Sequence, residues 1–235
     1  MKNFRAKSGP FRERPYYELA EIERMCADAL SQVGLLPSDP SPIRIDRFVE
    51  KHFDVTHTYE DLDKGVLGFT QFGPKGVQAI VVARALDEEG TKPAERRIRT
   101  TLAHESGHGL LHAHLFVLDP QSKPLFGDFT KPNSPKVLCR DIPNTSAAHL
   151  SGYDRRWWEY QANRAIGAFL LPRSLVEKAI DHLLSSAGLL GSRTLDSSHF
   201  DTAAKLLADT FEVNSVVARI RLQEMYPQGN RQLHL

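Results

Sequence analysis

The sequence predicts an α+β protein with a short, mainly antiparallel sheet, helices before and after it, and a helical C-terminal segment. Two observations lead there. Between positions 54 and 86 the segments DVTHTYE, GVLGFTQF and GVQAIVVARAL are separated by the turn signals DLDKG and GPKG, a pattern of short strands in a small meander. On either side, apolar residues recur at helical spacing over much longer runs. With 235 residues, the chain can bury a core of one large domain, or of a domain with an appendage.

In chain order, residues 1–17 carry Lys2, Arg5, Lys7, Arg12 and Arg14 against one acid, Glu13, and read as a basic flexible tail. YYELAEIERMCADALSQVGLL places Leu19, Ile22, Met25, Cys26 and Leu30 on one helical face. After Pro37 and Pro40, PIRIDRFVEKHF reads as a short helix starting between Ile43 and Asp46. The strands follow, and GVLGFTQF or GVQAIVVA would offer an exposed edge to an extended peptide. TKPAERRIRTTLAHESGHGLLHAHLF opens as a helix, with Thr91 as cap and Pro93 in the first turn.

From 119 to about 143 the chain is rich in Pro, Gly, Ser and Lys without periodicity, and 115–156 reads as one long loop insertion. RRWWEYQANRAIGAFLLP carries Trp158, Ala162, Ala165, Ile166 and Phe169 on the buried side of a helix that ends near Pro172. RSLVEKAIDHLLSSAGLL reads as another helix. FDTAAKLLADTFEVNSVVARIRLQEM reads as two more, with Asn214 or Ser215 capping the second. This last pair has a helix-turn-helix rhythm. With Val213, Val216, Val217 and Ile220 taken as buried, it is a hairpin packed on the core; Arg219 and Arg221 would be its contacts if it met DNA. The predicted units are the tail at 1–17, a main domain at 18–180 and a helical segment at 181–235.

A net charge of +1 argues against a nucleic-acid surface along the whole chain. No apolar stretch has the length of a membrane span, and the N-terminus has no apolar leader. Cys26 and Cys139 are far apart and form no CxxC pair, which suits a reducing cytoplasm.

The chemistry concentrates in TLAHESGHGLLHAH. His104, Glu105 and His108 form H-E-x-x-H, and on a helix positions i and i+4 share a face, so both imidazoles can reach one ion. Glu105 is offset from that face and can take a proton from water beside the ion. Gly107 and Gly109 each weaken a helix by roughly 1 kcal/mol relative to alanine, a cost that suits close approach of something to the backbone. Two candidates exist for a third ligand. His114 stands six residues after His108, but Leu111 occupies the position where a glycine would break the helix and return that histidine to the metal. Glu159 lies in the second strongly apolar helix, where a carboxylate needs a partner, and Asn163 follows one turn later as a group able to orient a ligand.

LAHESGHGLLH followed by WEYQANRAIGAFLLP resembles the ImmA/IrrE metallopeptidases. That family pairs a T-x-A-H-E-x-x-H helix with an E-x-x-A-N helix ending L-L-x-P. Thr101, Ala103, His104, Glu105, Gly107 and His108 match the first element; Glu159, Ala162, Asn163, Leu170, Leu171 and Pro172 match the second. Similarity extends over roughly 18 to 225. Ser106 stands where the family usually has leucine, and the segment before Trp157 is long for it.

The resemblance implies a zincin-like, gluzincin-type site: one Zn²⁺ on His104, His108 and Glu159, with Glu105 as base for attack by a zinc-bound water. Tyr153 is the favoured oxyanion donor, with His149, Arg155, His112 and His114 as alternatives. Cys139 is a candidate inhibitory thiolate ligand, set against a plain buried cysteine. The implied function is a cytoplasmic zinc endopeptidase that cleaves a helix-turn-helix repressor and so acts on stress-response transcription. The alternative is a catalytically silent zinc-binding sensor or DNA-binding regulator that keeps the peptidase shell.

Overall fold

The computed structural model describes residues 2–5, 13–118, 136–140, 156–187 and 192–227. Strands β1 (Lys2–Arg5) and β2 (Glu13–Tyr16) pair antiparallel, so part of the basic segment read as a tail is a ladder. Helix α1 (Leu19–Gln32) begins at a capping box between Glu18 and Glu21 and buries Ile22, Cys26, Ala29 and Leu30. Helix α2 (Ile45–Phe53) buries Ile45, Phe48 and Val49 and stops at Asp54, whose φ of 56° is left-handed.

Strands β3 (Thr58–Glu60), β4 (Val66–Gly73) and β5 (Gly76–Ala83) follow, then the short helix α3 (Arg84–Glu89). Helix α4 (Lys92–Leu118) is continuous through the histidine-rich stretch, and the amide of Ala94 donates to the Thr91 hydroxyl at its start. Strand β6 (Lys136–Arg140) precedes α5 (Arg156–Leu170) and α6 (Arg173–Ala179). Strands β7 (Leu184–Ala187) and β8 (Ser192–Leu195) form a separate antiparallel pair, and α7 (Phe200–Thr210) and α8 (Ser215–Met225) close the described chain.

The architecture is mixed α+β, with the four-stranded sheet in the order β3-β5-β4-β6. β4 pairs antiparallel with β5 and β6, whereas β3 runs parallel to β5. The simple meander is therefore corrected: β3 crosses to the far side of β5. Neither GVLGFTQF nor GVQAIVVA is an edge, because β3 and β6 flank them. The run Ile80–Ala83 is buried at every position, as an interior strand covered on both faces must be.

Three further readings change. The 115–156 stretch contains β6, whose backbone lies opposite β4 with Cys139 in register with Gly68. The helix expected to run on from Arg173 stops at Ala179, and Leu184–Ala187 is strand instead; Ser185, Ser186 and Gly188 are poor helix formers. In α8, Val216 and Ile220 are 62% and 52% exposed rather than buried. The inward positions belong to Ala218, Arg221, Leu222 and Met225.

Arg221 turns the helix this way because buried acceptors hold its guanidinium: Nε donates to the Leu171 carbonyl at 3.0 Å and Nη1 to Glu23 at 2.6 Å. One core joins α1, α2, α5, α7 and α8 with the inner face of the sheet, and the Phe48 and Phe169 rings meet at its centre with centroids 4.8 Å apart. No helix among the described residues is long and apolar enough to cross a membrane.

Candidate metal centre

The centre forms where α4 packs on α5, and the contact depends on an absent side chain. A Cβ at Gly107 would lie 2.8 Å from the Ala165 Cβ and 3.3 Å from the Ala162 backbone, so only glycine lets the helices approach this closely. At Gly109 a Cβ would meet side-chain atoms instead, Phe53 Cζ at 2.7 Å and Val77 Cγ2 at 2.9 Å. The close approach anticipated at these glycines comes from the protein's own elements.

Across this seam His104 and His108, one turn apart on α4, face Glu159 in the first turn of α5. His104 Nε2 lies 3.2 Å from Glu159 Oε2, His108 Nε2 lies 3.6 Å from Oε1, and the two Nε2 atoms are 3.0 Å apart. Among the described residues these three form the one group of His, Cys, Asp and Glu side chains placed to hold a metal ion. At zinc–ligand distances of roughly 2.0–2.2 Å, tetrahedral donors stand about 3.3 Å apart. The observed separations bracket that value.

The outer hydrogen bonds test the fit independently. Asn163 Oδ1 lies 3.1 Å from His104 Nδ1, and as an acceptor it takes that nitrogen's proton, leaving the Nε2 lone pair facing Glu159. Two imidazole nitrogens and a carboxylate converging this closely need positive charge among them, as a proton or a metal cation, to offset their repulsion. The donor set suits Zn²⁺, and an i, i+4 histidine pair with one carboxylate leaves a fourth position open.

The centre is nearly dry. His104 and His108 are buried, and Glu159 keeps 25% of its side-chain surface in solvent. Burial alone would raise the Glu159 pKa, but charge and hydrogen bonds from His108 and His104, in their protonated forms, hold it far below the usual carboxylate range. Burial lowers the pKa of His108 despite the adjoining carboxylate. Exposed Asn163 marks the open side.

Glu105, one residue after His104, is completely buried. Its Oε2 accepts a hydrogen bond from the Thr70 hydroxyl at 2.6 Å, whereas Oε1 has no hydrogen-bond partner among the described residues. Burial pushes its pKa up to about 8. Gly68 of β4 makes room here: a Cβ there would lie 2.6 Å from Thr101 Cγ2, 2.7 Å from the Val81 carbonyl and 3.6 Å from Glu105 Oε1.

The other predicted site residues fall differently. His114 is exposed on an unbroken helix and stands outside the donor group. His112, weighed as an oxyanion donor, is buried beside His108 with its Nδ1 3.1 Å from His108 Nδ1. Tyr153, His149 and Arg155 lie outside the described residues, as does the side chain of Cys139. Sequence reasoning missed Thr70, Gly68 and Gln161, which hydrogen-bond or make room only once strand and helix are assembled. The signal for His112 was its i+4 spacing from His108.

Compared with models of known protein families and with curated proteins, the chain gives no match.

Proposed function

We propose that the chain is a zinc-dependent endopeptidase of the gluzincin kind, similar in its two motif helices to the ImmA/IrrE metallopeptidases. The observation that carries this reading is the convergence of His104, His108 and Glu159 from two helices, next to a buried carboxylate with one uncommitted oxygen.

A divalent ion held by these three residues would supply Lewis acidity to a scissile carbonyl and to water. Glu105 does the proton work. Thr70 occupies Oε2, so Oε1 is the atom that takes a proton from the attacking water and returns it to the leaving amine. Its raised pKa describes the protein without an ion; a nearby divalent charge favours the ionised form, which is the one a base requires. Asn163 keeps His104 oriented, and the partly exposed Glu159 side of the centre supplies the approach for substrate.

A helix-turn-helix repressor is the proposed substrate by analogy with the resembling family. The C-terminal helices support the packing reading over DNA contact: Arg221 is fully buried and Arg219 is paired with Asp201 at 2.7 Å.

The test joins metal analysis of the purified protein with cleavage of a co-expressed repressor. Wild type and Glu105→Gln should both hold one zinc, and the variant should cleave roughly 10²–10⁴-fold more slowly. Zinc-free wild-type protein, or undiminished cleavage by the variant, defeats the peptidase reading. An effect on transcription that survives Glu105→Gln selects a silent sensor instead.

A further inference from the structure

Among the buried polar side chains of α4 and α5 that the peptide chemistry does not use are His112 and Gln161, both fully inaccessible to solvent. They form one continuous hydrogen-bonded line. His108 Nδ1 is 3.1 Å from His112 Nδ1, His112 Nε2 is 3.0 Å from Gln161 Oε1, and Gln161 Nε2 donates to the Pro15 carbonyl at 2.9 Å. The His112 ring lies flat on Trp158, with centroids 4.6 Å apart and an interplanar angle of 3°, so it has no freedom to swing away.

Only one proton arrangement satisfies the whole line. A carbonyl carries no proton, so Pro15 obliges Gln161 to direct its NH₂ outward and its oxygen toward His112. That oxygen requires a proton on His112 Nε2. A neutral His112 then has a bare Nδ1, which must accept a proton from His108 Nδ1. The His112 ring is fully buried and flat against Trp158, surroundings that suit the uncharged form. The remaining nitrogen of His108, Nε2, is left with a lone pair aimed at His104 and Glu159.

We propose that His112 and Gln161 are positioning residues that lock the His108 imidazole in its metal-ready tautomer, and that the Pro15 carbonyl on β2 sets the direction of the lock. The N-terminal strand pair thereby becomes a working part of the metal centre, although none of its residues belongs to the donor group. His104 has a one-residue version of the same device in Asn163; His108 reaches its anchor through two side chains. The inference rests on the zinc reading for its purpose, but the lock itself is a property of the protein without metal.

The experiment uses the full chain with its histidines labelled with ¹⁵N. In metal-free wild type, long-range ¹H–¹⁵N spectra should show His108 protonated on Nδ1 and His112 on Nε2. Gln161→Met removes the acceptor while keeping the length; His112→Phe removes both nitrogens while keeping a ring against Trp158. Each should convert His108 to a mixture of tautomers and weaken zinc, in competition with a chelator, by roughly 10- to 100-fold. Circular dichroism and thermal melts identify any variant that fails to fold, and the wild-type spectrum alone still decides. A wild-type His108 carrying its proton on Nε2 overturns the proposal, as does unchanged zinc affinity or an unchanged tautomer in both folded variants. Absence of zinc binding by wild type with the stated tautomers would defeat the peptidase reading and leave the lock standing.

Discussion

Gly107 determines more than its size suggests, because the separation between imidazoles and carboxylate depends on how closely its helix can lie against Ala162 and Ala165. Gly107→Ala gains helix propensity of roughly 1 kcal/mol. It also drives a methyl into an alanine Cβ and a backbone carbonyl, neither of which can rotate away. Overpacking of that kind costs about 1–3 kcal/mol. The variant should lose stability on balance in urea titration, and its zinc affinity should fall further than its stability, since the seam opens beneath the donors. Gly68→Ala makes the complementary case on the strand side: it displaces Thr101 or the Val81 carbonyl beside Glu105, so the rate of the proposed peptidase reaction should fall while zinc content holds.

At the scale of elements, α1, α5, α6 and α8 are tied by one buried charge cluster. Glu23 on α1 takes hydrogen bonds from Arg173 at 2.8 and 2.9 Å and from fully buried Arg221 at 2.6 Å. Burial pulls the Glu23 pKa up, but the Arg173 hydrogen bonds and the Arg221 charge prevail and hold it below the ordinary 4.5. A depressed carboxylate stabilises the fold fully above its unfolded pKa and loses that contribution as the pH falls through its folded value. Glu23→Gln should therefore cost about 2–3 kcal/mol at pH 7, because it leaves the fully buried Arg221 with the more distant Glu224, at 3.4 Å, for its charge. Measured by urea unfolding across a pH series, the difference from wild type should shrink below pH 4.5.

The same cluster shows why α8 was misread. Apolar periodicity assigned Ile220 inward, but a partner 198 residues away brings Arg221 in and leaves Ile220 out. The parallel mate of β3 and the extent of β6 were equally illegible, since each depends on a neighbouring surface rather than on local pattern. The two helices that bring His104, His108 and Glu159 together were legible because local period and motif spacing pointed to the same faces.

For the molecule as a whole, the proposed ion would act as a cross-link between α4 and α5, so occupancy and folding should be coupled. At free zinc 1,000-fold above its dissociation constant, the native state gains about 4 kcal/mol. That corresponds to a rise of about 10 °C in Tm for a chain of this size. Chelation should reverse the rise in calorimetry, and Glu159→Gln should abolish it, since the variant removes a donor while leaving both helices.

The seam at Gly107 also bears on the long connection between α4 and α5. Donor spacing is inherited from two rods pressed together at a notch, so it does not depend on the length of the chain on either side of β6 that joins them. Doubling the length of a loop adds only about 0.6 kcal/mol to its closure cost. The residues flanking β6 between these rods are therefore where the chain can lengthen or shorten while the spacing of His104, His108 and Glu159 stays the same.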